Sequence, residues 1–226
     1  MKRLLRSFAP GRWCYGCGLL MEPSEPMGIC PTCVGRLPWF EEEICFYCGY
    51  AHLKGDCRED FAPDITQLKS LFYYREPVNQ WVAALKYSRD LIAGRLLQQL
   101  LTQWMERQTE WLSQYDLILP VPIHHARLRM RGFNQTSYLL RQQTQLPLGS
   151  QLAKKTRYTK HQAGLSGKGR LTNLHKSFGA QGVEGLNILL FDDVCTSGQT
   201  LDQLAHCLKK EGAEEIGALS LCRSSN

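Results

Sequence analysis

Asn187-Ile188-Leu189-Leu190-Phe191-Asp192-Asp193-Val194-Cys195-Thr196-Ser197-Gly198-Gln199-Thr200 decides the fold of this 226-residue chain. Four apolar residues, Ile188 to Phe191, run into two adjacent carboxylates and then into a loop of hydroxyl and glycine residues. Leu201, Leu204, Ala205 and Leu208 follow at helical spacing. A short apolar run of this kind suits a strand buried on both faces of a parallel sheet. The loop then lies at the strand's carboxyl end, where open α/β sheets bind ligands. Backbone N–H groups of such a loop, and of the helix start after it, suit a phosphate. Adjacent carboxylates suit vicinal hydroxyls or a divalent cation. Together these features describe a site for a phosphorylated sugar.

The loop resembles, at every position, the phosphoribosyl pyrophosphate (PRPP) loop of type I phosphoribosyltransferases. The resemblance implies that Asp192 and Asp193 hold the ribose hydroxyls and are the candidate catalytic residues. It implies that Thr196, Ser197, Gly198, Gln199 and Thr200 cradle the 5′-phosphate. Asp-Asp at a strand end also occurs in Walker B elements, which need a partner G-x-x-x-x-G-K-[ST] loop. The nearest stretch, Gly164-Leu165-Ser166-Gly167-Lys168-Gly169, has the wrong spacing and no hydroxyl after the lysine.

The length allows one ordinary domain and a small one. No run of about 18 apolar residues is present, so no membrane span is expected. Met1-Lys2-Arg3-Leu4-Leu5-Arg6 is basic but lacks the apolar core and cleavage site of a secretion signal. A cytoplasmic location is expected.

Seven of the ten cysteines lie in the first 57 residues. Cys14-x-x-Cys17 is followed by Cys30-x-x-Cys33, then Cys45-x-x-Cys48 and Cys57. Repeated C-x-x-C pairs in a cytoplasmic chain point to metal rather than disulfides. Each pair presents two thiolates, and two pairs complete a tetrahedral Cys₄ zinc site. Gly18 and Gly49 suit the tight turns that such knuckles need. The second set supplies Cys45, Cys48 and Cys57; a fourth cysteine would fall at Asp60. His52 or Asp60 completes that shell, or it holds no metal; the middle two pairs sharing one ion is a third arrangement. All such sites would be closed and structural, because so short a segment has little core of its own. Cys195, Cys207 and Cys222 read as small buried side chains.

From about Gln67, strands and helices alternate. Strands are expected at Leu68–Tyr74, Tyr115–Val121, Ile188–Phe191 and Ile216–Cys222. Helices are expected at Val78–Tyr87, Leu91–Leu112 and Asn134–Gln143. The order argues for an α/β fold with a mostly parallel sheet covered on both faces. A zinc-ribbon-like module over residues 1–62 precedes a sheet domain over 66–226.

Between Leu117 and Val183 the chain has no Asp or Glu, yet carries eleven Lys and Arg residues, so the net charge of +6 comes from this stretch. A one-signed region suits either a polyanionic small molecule or a nucleic-acid backbone. Solvated faces usually mix both signs. His124 to Gln135 follows a predicted strand, which brings Arg127, Arg129 and Arg131 to the same sheet edge as the acidic pair. This resembles a phosphoribosyltransferase's pyrophosphate-binding segment; Gly132 permits a positive φ or a close approach there. The Gly- and Lys-rich stretch from Arg157 to Lys176 matches the position of that fold's flexible loop.

Several features occur together: the cysteine module, Leu85-Lys86-Tyr87, Arg131-Gly132-Phe133-Asn134-Gln135, then Arg157, Gln162, Leu165, Arg170, Asn173, Phe178 and the Asp-Asp-Val loop. In combination the chain resembles the ComF family of competence and DNA-utilisation proteins, GntX-like, over nearly its whole length. The resemblance implies PRPP with Mg²⁺ at the loop, structural Zn²⁺ at the cysteines, and single-stranded DNA and DNA-uptake proteins as partners. The alternative is an active phosphoribosyltransferase that moves ribose 5-phosphate from PRPP to an unknown acceptor. Purine-salvage enzymes of that fold carry an acidic residue three positions after the second loop carboxylate; here it is Thr196.

Overall fold

The computed structural model describes residues 13–21, 28–40, 64–156 and 177–224. In chain order, the elements begin with α1 (Pro31–Gly35), β1 (Gln67–Tyr73) and α2 (Val78–Ala83), which runs into a π-helical turn at Ala84–Ser88. Next come α3 (Leu91–Glu106), α4 (Thr109–Leu112), β2 (Leu117–Pro120), α5 (His125–Arg131) and α6 (Gln135–Leu139). The remaining elements are β3 (Ala153–Lys155), β4 (Phe178–Ala180), β5 (Asn187–Cys195), α7 (Gln199–Lys210) and β6 (Glu215–Arg223).

Four strands form the main sheet in the order β1-β6-β5-β2, every pair parallel. The expected α/β architecture is present. β3 and β4 form a separate antiparallel pair. β5 and β6 lie in the middle, which explains their near-continuous apolar runs: both of their faces are covered. On one face Leu189, Phe191, Leu219 and Leu221 join the stripe of α3 (Leu96, Leu97, Leu100, Leu101) in one core. On the other, Ile188, Leu190, Ile216 and Ala218 pack with Leu201, Leu204, Ala205 and Leu208 of α7.

Three expected elements differ in detail. The helix expected over Leu91–Leu112 breaks after Glu106. The N–H groups of Arg107 and Gln108 turn back to the carbonyls of Trp104 and Met105, tightening the end, and α4 restarts at Thr109. Lys69 of β1 holds the break by donating to Gln108 Oε1 at 2.8 Å. The re-aimed Trp111 packs edge-on against Trp104 and Tyr115 and donates from its indole to Gln67. The helix expected over Val78–Tyr87 converts to the π turn at Ala84, which ends at Arg89 with φ of 52°. The helix expected over Asn134–Gln143 shortens to Gln135–Leu139, while α5, which is not among the expected helices, forms ahead of it.

The cysteine segment packs onto the sheet domain. Trp39 makes an antiparallel bridge to Phe72, Phe40 N–H donates to Leu71 O at 2.8 Å, and Tyr73 N–H donates to Pro38 O at 2.8 Å. Residues 38–40 therefore cover the open edge of β1, which would otherwise present unpaired backbone groups. Met21, Ile29 and Leu37 enter the same core as Trp81 and Leu85. No helix among the described residues is long and apolar enough to cross a membrane.

Candidate functional site

β5 is longer than the apolar run alone suggested, and it carries both carboxylates inside the strand. The two leave the strand towards different surroundings. Asp193 is buried and meets Lys86 Nζ, on the π turn, at 2.8 Å. Only 16% of the lysine side chain and 13% of the aspartate side chain are exposed. Asp192 lines an open cup of about 210 Å³ together with residues 194–201. Burial, and then the neighbouring charge of Asp193, push the Asp192 carboxyl up to about 7, against the opposing pull of Lys86, the Asp193 N–H and Lys155. The Asp193 N–H donates to Asp192 Oδ1 at 2.8 Å.

The floor of the cup is the turn from β5 into α7. Gly198 takes φ of 69°, a left-handed conformation that residues with a Cβ resist, and stands as N-cap of α7 without a side-chain cap bond. The leading N–H groups of this 12-residue helix therefore lie at the cup. Thr196, Ser197, Gly198, Gln199 and Thr200 all line it. Behind the loop, Cys195 is buried and accepts from Arg223 Nη1 at 2.7 Å. Burial pushes its thiol up to about 11, which suits an unreactive packing role. Cys222 is buried as expected, and Cys207 is half-buried.

Basic side chains approach from two elements. Lys155, at the end of β3, faces Asp192 and Arg127; burial, then Arg127, lower its pKa, while Asp192 raises it. Arg127 bears on Lys155 and is half-buried, whereas Arg129 is exposed. Arg131 donates to Gln135 Oε1 at 2.9 Å, and its guanidinium lies 5.7 Å from the ring centroid of Tyr87. Gly132 closes α5 at φ of 86°. His124 caps the start of that helix by accepting from Ala126 N–H; burial and then His125, Lys155, Arg127 and Arg129 hold it below the usual imidazole range. Residues 157–176 lie outside the described residues. Sequence reasoning did not find that Lys86 contacts Asp193 or that the charge of Lys155 bears on Asp192; both lysines come from elements distant in the chain.

The second cluster is the cysteine site. The sulfur atoms of Cys14, Cys17, Cys30 and Cys33 all lie within 4.8 Å of one another, and those of Cys17 and Cys30 are 3.9 Å apart. Tetrahedral thiolates on zinc, at a bond length of about 2.3 Å, stand about 3.8 Å apart. The backbone N–H groups of Cys17 and Cys30 donate to Cys14 Sγ at 3.5 and 3.3 Å. Burial raises the Cys14 thiol, but these donors outweigh it and bring it to about 6; burial and the neighbouring thiols push Cys33 to about 12. Gly18 supplies the turn expected of it, with φ of 71°. Gly16 has a role not read from sequence: a Cβ there would stand 3.0 Å from Cys33 Sγ. The four residues are placed to hold one metal ion, and their donor set suits zinc. Cys45, Cys48, Cys57, His52 and Asp60 lie outside the described residues.

Comparison with known proteins matches a phosphoribosyl transferase domain to residues 142–226, which include Lys155, the acidic pair and the cup. The chain is 32% identical to the DNA utilization protein YhgH of Escherichia coli K12 over 208 residues, covering 87% of this chain and 91% of the relative. It is 29% identical to competence protein F of Haemophilus influenzae over 211 residues, with the same shares covered. Competence protein ComFC of Bacillus subtilis is 24% identical over 221 residues, covering 91% of this chain and 87% of that one. With its parallel sheet, the loop after β5 and the matched domain, the chain belongs to the ComF family of competence and DNA-utilisation proteins, which carry a phosphoribosyltransferase-type domain.

Proposed function

We propose that this chain binds a phosphorylated ribose of the PRPP type in the cup above β5 and serves in DNA handling. The carrying observation is the continuity of β5, cup and α7: a carboxylate, small hydroxyl residues, a left-handed glycine and a helix start share one concave surface. In this reading the acidic pair serves the ribose, with Asp192 and Asp193 as its polar anchors. Residues 196–200 receive the 5′-phosphate through backbone N–H groups and the helix dipole. Arg127, Arg129, Arg131 and Lys155 serve the pyrophosphate, where guanidinium groups offer paired donors. Mg²⁺ enters with the pyrophosphate and supplies charge neutralisation when bound. A zinc ion at Cys14, Cys17, Cys30 and Cys33 is structural, and Cys45, Cys48 and Cys57 are the candidate ligands if a second ion binds.

The relatives' names, competence protein and DNA utilization protein, support DNA handling as the role, and its setting in this reading is the cytoplasm. The carboxylate-free stretch from Leu117 to Val183 supports single-stranded DNA and DNA-uptake proteins as partners. Thr196, in place of an acidic residue, gives no support to purine salvage.

Calorimetric titration of the metal-loaded protein with PRPP and Mg²⁺ tests the phosphosugar site. Saturable binding that Asp192→Asn abolishes is expected; a flat wild-type titration would sink the reading. A short single-stranded DNA is the second probe. Its binding should weaken steeply with salt and fall in an Arg127→Ala/Arg129→Ala variant. An affinity indifferent to both salt and variant removes DNA from this surface.

A further inference from the structure

The two neighbouring carboxylates of β5 have unlike environments. Asp192 lines the cup, whereas Asp193 is buried and held by Lys86 at 2.8 Å. Lys86 stands 107 positions away in sequence, on the π turn. A π turn inside a helix re-aims the side chains that follow it, and such turns are frequent at functional sites. Here the turn is fixed on both sides. Leu85 is buried in the core, and Arg89, in the left-handed conformation, donates from Nη2 to Met130 O at 3.2 Å. Lys86 is therefore presented from a defined point and not from a free surface stem.

We infer that Lys86 is a positioning residue of the phosphosugar site: it holds Asp193 in place and so fixes the acidic pair, with Asp192 turned to the cup. This rests on the phosphosugar reading above. The physical reason is charge. Two carboxylates on adjacent residues of a buried strand repel, and a single ammonium against one of them offsets part of that repulsion. The charged groups that bear on Asp192 are Asp193 on its own strand, Lys86 from the π turn and Lys155 from β3. Of the two cations, Lys86 is the one in direct contact with the pair. Removing it leaves Asp193 buried beside a second acid with its ion-pair partner gone. Both carboxylates then reorganise, and the ribose anchor goes with them.

The test compares wild type with Lys86→Met, Lys86→Gln and Lys86→Arg, the glutamine variant keeping a polar stem without charge. Two quantities are measured: PRPP affinity with Mg²⁺, and titration of the Asp192 carboxyl by carbon NMR. Lys86→Met and Lys86→Gln should weaken PRPP about 10- to 100-fold, the usual effect of losing a residue that orients a ligand-binding group. Both should move the Asp192 titration to higher pH, and Lys86→Arg should restore both quantities towards wild type. A folded Lys86→Gln protein with wild-type affinity and an unmoved Asp192 titration overturns the inference. If wild type binds no PRPP, the phosphosugar reading falls; the Asp192 titration then decides alone whether Lys86 orders the pair, a shift upholding it and no shift overturning it.

Discussion

The cysteine cluster and the cup above β5 gather backbone N–H groups around negative charge in opposite ways. In the cluster the anion is built in: the N–H groups of Cys17 and Cys30 point at a sulfur of the chain itself. In the cup, the helix start has no side-chain cap, and its donors face a concave opening. The supports also differ. The cup rests on a central strand of the sheet, whose Ile188 to Phe191 are inaccessible to solvent. The cluster rests on a few apolar anchors and on four thiols. One site rests on the sheet beneath it, and the other gathers four thiols placed to hold an ion.

This contrast can be broken from either side. The largest effect is expected from Cys14→Ser. It should remove the one equivalent of metal held by the first cysteine cluster, read by a colorimetric chelator, while far-UV dichroism of the sheet domain persists. Global unfolding in that variant would show that the metal orders both regions. Next is Leu190→Ala, which empties space under the cup and should cost about 2–5 kcal/mol in urea denaturation. Its metal content should stay at the wild-type level; a parallel loss of metal would erase the distinction.

A third outcome concerns pH. The ordinary Asp value is 3.8, and folding raises Asp192 to about 7. The folded chain therefore keeps a proton that the unfolded chain releases, and stability falls as pH climbs from about 4 to 7, then levels off. Asp192→Asn should remove that slope and stabilise the protein above pH 7, on the order of a few kcal/mol. PRPP binding should move the other way in wild type, strengthening as pH rises through 7 and the carboxylate ionises. A pH-independent difference between the two proteins would refute the assignment. The smallest effect is expected where the cysteine segment meets α3. Tyr15, between two cysteine ligands, donates to Asp90 Oδ2 at 2.9 Å, and Asp90 Oδ1 caps α3 by accepting from the N–H groups of Ile92 and Ala93. Tyr15→Phe should cost about 1 kcal/mol in thermal unfolding and leave metal content unchanged.

Much of the candidate site is legible in the chain because its parts are neighbours there. Asp192, the loop after it and the helix stripe of Leu201, Leu204 and Leu208 occur in one run, and their periodicities identify strand, turn and helix. The four cysteines are legible for the same reason, since C-x-x-C spacing is a local geometric condition. The helix end at Glu106 is not legible, because it is set by Lys69 and Gln67 on a strand some forty residues earlier. Nor is the π turn, whose extra residue lets Leu85 enter the core while Lys86 reaches Asp193.

The sequence by itself determined the strands of the main sheet, their parallel class, the hydroxyl- and glycine-rich turn after β5 and the first cysteine cluster. Each depends on residues a few positions apart, where chain geometry alone brings groups together. Only the tertiary structure decided that the two carboxylates are unequal, that Lys86 and Lys155 flank them, and that residues 38–40 cover the edge of β1. Those contacts join residues far apart in sequence. They are selected by burial, edge pairing and charge compensation across the packed sheet, none of which leaves a periodic trace in the chain.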